Sequence, residues 1–96
     1  KIVIHKTITA EAVENINSNQ IEFIVLFRKK ISDCVWNEKE ISNLIRSISK
    51  KSGISAKECY ASLYWLMLGK HNGPRIASII SEVGIEHMTS LIDSSF

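Results

Sequence analysis

Asn37-Glu38-Lys39-Glu40-Ile41-Ser42-Asn43-Leu44-Ile45-Arg46-Ser47-Ile48-Ser49-Lys50-Lys51-Ser52-Gly53 is the stretch that decides the fold class, because it carries its own start, face and stop. The Asn37 side chain can accept the amide three residues on, and Glu40 can reach back, which are the two halves of a capping box. Ile41, Leu44, Ile45 and Ile48 follow at i, i+3, i+4 and i+7, one apolar stripe at the helical period. Lys50 and Lys51 put cations at the negative end of the helix dipole, and Gly53 suits the left-handed turn that ends a helix.

The same grammar repeats downstream. Ser55-Ala56-Lys57-Glu58 has the capping-box form again. The helix it opens has Ala56, Cys59, Tyr60, Leu63, Leu66 and Met67 at core spacing, and is apolar nearly all round from Ala61 onward. It is expected to be the central, most buried helix, stopped by Gly69. Asn72-Gly73-Pro74 reads as a turn, with Pro74 at a first helical position, where its missing amide costs nothing. Ile76, Ile79, Ile80 and Val83 form the next stripe, closed by Gly84; Ile85, Met88, Leu91 and Ile92 indicate a last short helix.

Upstream, Thr9 caps a helix running to Asn15 or Ile16, with Ala10, Val13 and Ile16 on one face. Ile21, Ile24, Val25, Phe27 and Ile31 fit a helix, whereas Phe23 to Phe27 alone could be a buried strand. The length of the segment and its Lys29-Lys30 ending favour the helix. Lys1 to Ile8 reads as extended, or as a severed connection. The expected architecture is all-α, a compact bundle of about five to six short helices.

Composition bounds the rest. The chain has 96 residues, 45% of them hydrophobic, and a formal net charge of +2. That fits one compact domain and not a disordered chain. No apolar run reaches the ~18–20 residues of a membrane-spanning helix; the longest, Phe23 to Phe27, runs into Arg28-Lys29-Lys30. Two cysteines, Cys34 and Cys59, cannot make a disulfide scaffold or a four-ligand zinc site. Both are read as small core residues with reduced thiols, and a cytoplasmic location is expected. Met67 and Met88 sit at core spacing. The chain starts with Lys1 and has no charged-then-apolar leader, so residues 1–96 are expected to be one domain cut from a longer protein.

Chemistry is sparse. No nucleophile lies beside a base, and there is no phosphate-binding glycine loop, His-x-x-x-His pair or Asp-rich loop. His5, His71 and His87 are scattered and read as polar residues at turns and on a helix face. Glu38, Glu40 and Glu58 stand at helix starts, where the dipole explains them. No catalytic residue, metal site or cofactor is expected in this chain.

Two basic groups remain. Lys39, Asn43, Arg46 and Lys50 share a helix face opposite the isoleucine stripe; a solvated face and a binding face both fit. Gly69-Lys70-His71-Asn72-Gly73-Pro74-Arg75 packs two cations, a titratable ring, an amide and open backbone donors into seven residues. It leads into a helix start whose amides favour phosphates or base carbonyls. A net charge of +2 requires any nucleic-acid site to be local. Single-stranded RNA suits such a site, because stacking and edge hydrogen bonds hold its bases. Tyr64, Lys70, His71, Asn72 and Arg75 could supply these.

Trp36 to Ile41, Ser52-Gly53-Ile54-Ser55 and, above all, Leu63-Tyr64-Trp65-Leu66-Met67-Leu68-Gly69-Lys70-His71-Asn72-Gly73-Pro74-Arg75 resemble the C-terminal region of class I lysyl-tRNA synthetases. The likeness continues through Ile76 to Glu86 and covers roughly residues 34–92. The related glutamyl-tRNA synthetases share the tail, but the Gly-Lys-x-x-Gly-Pro-Arg form here is closer to the lysyl enzymes. The resemblance implies an all-α helix cage, the C-terminal anticodon-binding domain, that takes the anticodon loop of lysine tRNA. It puts Gly73, Pro74, Arg75 and Ile76 at the bases, with Tyr64 close by; Lys70 and His71 are added from local chemistry. It also implies a parent ligase whose catalytic domain joins lysine to tRNA using ATP and Mg²⁺. The His-x-Gly-His-like and Lys-Met-Ser-Lys-Ser-like motifs of that domain do not occur in these 96 residues. The chain itself is therefore expected to have no aminoacylation activity. A helical protein–protein interaction module is the alternative that uses the same stripes without RNA.

Overall fold

Helix starts are set by short polar side chains. In the computed structural model, which describes residues 8–96, Thr9 accepts from the Ala12 amide and opens α1 (Ala10–Asn15). Asn17 and Gln20 close a complete capping box at the head of α2 (Ser18–Ile31). Asn37 accepts from the Glu40 amide and starts α3 (Glu38–Ser52); Ser55 does the same for Glu58 at α4 (Ala56–Leu68). The expected return bond from Glu40 is replaced, because the Asn37 amide donates to the Val35 carbonyl at 3.0 Å. Gly53 and Gly69, at φ of +72° and +69°, end α3 and α4 in the left-handed conformation that costs glycine little. α5 (Ile76–Val83) and α6 (Ile85–Ser95) complete the order, and the described residues contain no strand.

α2, α3 and α4 pack on one another; α5 lies against α3 and α4, α6 against α2 and α5, and α1 against α4. The interior is an aliphatic cluster around Phe23, Phe27, Ile41, Ile45, Leu63 and Met67, all fully buried. Phe23 and Phe27 stack at 5.9 Å, one helical turn apart, which settles this segment as helix. Two expectations shift. On α1 the inward residues are Ala12 and Ile16, while Val13 is 52% exposed, because only one side of this short helix meets α4. Pro74 is not in the first turn of α5. The helix begins two residues later, with Arg75 as its cap at ψ 114° and the first bond running from the Ile79 amide to the Arg75 carbonyl.

Polar contacts tie the helices together. Gln20, 6% exposed, donates from Nε2 to the Glu58 carbonyl, linking α2 to α4. Ser49 donates to the Ile54 carbonyl and braces the α3–α4 turn. Arg28 of α2 grips Asp93 of α6 through two bonds of 3.0 and 3.1 Å and holds that carboxyl below the usual carboxylate range. Burial pushes the thiols of Cys34 and Cys59 up; Cys59 is fully buried and Cys34 partly so. Met67 and Met88 are fully buried, as their spacing requires. Residues 1–7, with His5, lie outside the described residues. None of the described helices is long and apolar enough to cross a membrane.

Candidate nucleic-acid interface

The turn between α4 and α5 is built on α4. Gly69 reverses the chain, and its amide donates to the Trp65 carbonyl at 3.2 Å. Residues 70–75 are then all exposed. Tyr64 sends its hydroxyl to the Pro74 carbonyl, donating at 2.6 Å. That bond fixes the peptide next to the α5 cap and explains why the helix does not start at Pro74. Gly73 lies close against the same ring: a Cβ there would come 3.4 Å from Tyr64 Cε1 and 2.8 Å from Leu68 Cδ1. A side chain at position 73 would therefore have to displace the Leu68 methyl group. His71 sits 6.4 Å from the Trp65 ring, centroid to centroid, with Asn72 Nδ2 3.4 Å from its Nε2.

Arg75 projects from this turn to α3, where Nη1 donates to Glu38 Oε2 at 2.7 Å. The pair joins the two basic groups that the sequence kept apart. Between them runs an open groove of about 910 Å³. α3 supplies one wall through Glu38, Lys39, Ser42, Asn43 and Arg46. Tyr60 and Tyr64 of α4 form the apolar part, and Arg75, Ile76 and Ala77 close the far side. Arg46 lies along α3, donating from Nη2 to Ser42 Oγ at 3.0 Å. The first amides of α5 have no intrahelical partner, and no side chain caps them from Arg75. The groove thus offers cations and tyrosine side chains at one place.

Of the residues singled out from sequence, Tyr64, Arg75 and Ile76 come together in the lining of this groove, while Gly73 and Pro74 pack and bond to Tyr64 without lining it. Ile76 does so from the core: it is 2% exposed. Lys39, Asn43 and Arg46 line it as well, and Lys50 of the same face does not. His71 faces a second, apolar hollow of about 630 Å³ on the other side of Tyr60 and Tyr64, rimmed by Lys57. Lys70 is exposed and lines neither. Glu38, Ser42, Tyr60 and Ala77 also line the groove without a local signal of such a role. Glu38 looked like a dipole acid and Tyr60 like a core position, and nothing local marks the Glu38–Arg75 pair, 37 residues apart. Among the described residues no cluster of three or more His, Cys, Asp or Glu could hold a metal ion.

A family model described as an anticodon binding domain matches residues 3–93. Similar curated proteins include a lysine–tRNA ligase of Archaeoglobus fulgidus, 27% identical over 95 residues, which are 99% of this chain and 18% of that protein. A lysine–tRNA ligase of Pyrococcus horikoshii is 38% identical over 48 residues, half of this chain and 9% of the relative. Glutamate–tRNA ligase 1 of Pseudothermotoga lettingae is 34% identical over 58 residues, 60% of this chain and 12% of the relative. The chain thus spans less than a fifth of the length of each of these relatives. No solved structure matches it significantly.

Proposed function

The chain belongs to the anticodon-binding-domain family of class I aminoacyl-tRNA synthetases, and from that premise we propose that it recognises the anticodon loop of lysine tRNA through the α3–α4–α5 groove. The observation that supports this most is the convergence of the α3 polar face and the 69–76 turn into one exposed, cation-lined groove with tyrosines in its wall. Unpaired bases need an apolar or aromatic surface and partners for their edges. Tyr60 and Tyr64 offer the surface. Arg75 and Asn43 offer the edge partners, and Lys39 and Arg46 neutralise phosphate. Gly73, Pro74 and Ile76 shape the turn, and Lys70 and His71 flank it, where the next nucleotides of the loop pass. A wrong base leaves a donor or acceptor unpaired, at about 1–3 kcal/mol each, and this penalty gives discrimination.

We propose further that residues 1–96 are the C-terminal domain of a longer cytoplasmic lysine–tRNA ligase. The small share of each relative that the chain covers supports this. In that ligase ATP and Mg²⁺ belong to a separate catalytic domain, and this chain carries recognition only. The test is a titration of the 96-residue chain with lysine tRNA and with an unrelated tRNA. Arg75→Ala is expected to weaken the first more than the second, and Arg46→Ala to weaken both, as loss of a phosphate contact does. Equal loss for Arg75→Ala makes Arg75 a backbone contact. No binding to either tRNA by the unaltered chain leaves the helical protein–protein module instead.

A further inference from the structure

We propose that Glu38 is a specificity-determining residue of the groove, holding Arg75 for a base edge and keeping backbone phosphate away from it; this rests on the RNA-reading role proposed above. Glu38 is the acidic side chain in a wall that otherwise carries Lys39, Arg46 and Arg75. A groove selected only to hold phosphates gains from each added cation and loses by an anion among them. The pair is closed in the protein alone, Nη1 to Oε2 at 2.7 Å, with Arg75 78% and Glu38 40% exposed. It therefore faces whatever enters.

The two partners are not equally anchored. Glu38 stands in the first turn of α3, where the helix dipole favours its charge and the buried Ile41 and Ile45 hold the backbone. The Arg75 backbone is held too, as the cap of α5, but its long side chain is 78% exposed against 40% for Glu38. The carboxylate thus sets the direction of the guanidinium. A guanidinium has five N–H donors in a planar fork and no acceptor. Nη1 spends a donor on Glu38 and leaves others for a carbonyl or ring nitrogen of a base. A phosphate brought to the same guanidinium meets the Glu38 charge, whereas a neutral base edge does not, and a base N–H can donate to the carboxylate. The ligand class so selected is an unpaired nucleobase presenting an acceptor beside a donor.

The experiment is a fluorescence-anisotropy titration of the 96-residue chain and its Glu38→Gln, Arg75→Ala and doubly substituted forms, over a range of salt. The probes are a lysine-tRNA anticodon stem-loop and the same stem with a scrambled loop. Glu38→Gln is expected to tighten scrambled-loop binding by about two- to fivefold, the scale of an exposed ion pair released. The ratio between the two probes then falls. The slope of log affinity against log salt steepens by about 0.7, one further phosphate neutralised. In the Arg75→Ala background Glu38→Gln leaves the ratio unchanged. An unchanged ratio and slope, or equal weakening of both probes as expected of a brace alone, overturns the role of Glu38 and leaves RNA recognition standing. Failure of the unaltered chain to prefer the anticodon loop removes both ideas, since there is then no selectivity for Glu38 to determine.

Discussion

Gly73→Ala tests whether the turn between α4 and α5 is positioned by packing against α4. Two effects oppose each other. Replacing glycine restricts the unfolded chain and stabilises by about 0.4–1 kcal/mol where the native backbone accepts a side chain. The added Cβ, however, comes 2.8 Å from Leu68 Cδ1 and 3.4 Å from the Tyr64 ring. Leu68 is 6% exposed, so its methyl cannot simply swing into solvent. Overpacking of this kind costs about 1–3 kcal/mol, and the clash is expected to win by about 1 kcal/mol. The displaced Tyr64 also releases Pro74, so affinity for the anticodon stem-loop falls together with stability. The assay is urea unfolding followed by tryptophan fluorescence, run as a cycle with Leu68→Ala. Leu68→Ala alone costs about 2–5 kcal/mol, but it removes the clashing methyl, so in its presence Gly73→Ala becomes neutral or mildly stabilising. A neutral Gly73→Ala in the unaltered chain, or an equal cost in both backgrounds, refutes the packing argument.

Two further outcomes follow from the helix contacts. Ser49→Ala is expected to cost about 1–3 kcal/mol in urea unfolding, because it leaves the Ile54 carbonyl without its buried donor; Ser47→Ala, on the exposed face of α3, serves as the near-neutral control. Asp93 is held below its ordinary range by its hydrogen bond to Arg28. Its folded value thus lies below the unfolded one, so the pairing stabilises above the unfolded value of about 4 and is lost as pH falls through the folded value. The stability difference between the unaltered chain and Asp93→Asn is expected to be present at neutral pH, to shrink in acid below that range, and to diminish with added salt. A difference that persists unchanged in acid rules out the ion pair as its source.

The helices and most of the core are legible in local patterns of residues. Capping residues, dipole-matched charges and glycine stops are local, and a 3.6-residue stripe such as Ile41, Ile45 and Ile48 has one way to be buried. The family resemblance was equally legible, because the turn before Ile76 is a contiguous run of residues. The α1 face was not: on a six-residue helix the pattern is too short to choose between Val13 and Ala12, and contact with α4 chooses. The start of α5 was decided by a hydroxyl ten residues upstream, through the Tyr64–Pro74 bond. The groove was decided only in three dimensions. Its walls come from α3, α4 and the head of α5, and the ion pair across it spans 37 positions of sequence. Helix-forming forces act over three or four residues, so local patterns record them. Which side chains meet across a groove depends on how the helices pack, and each side chain alone looks like an ordinary solvated charge.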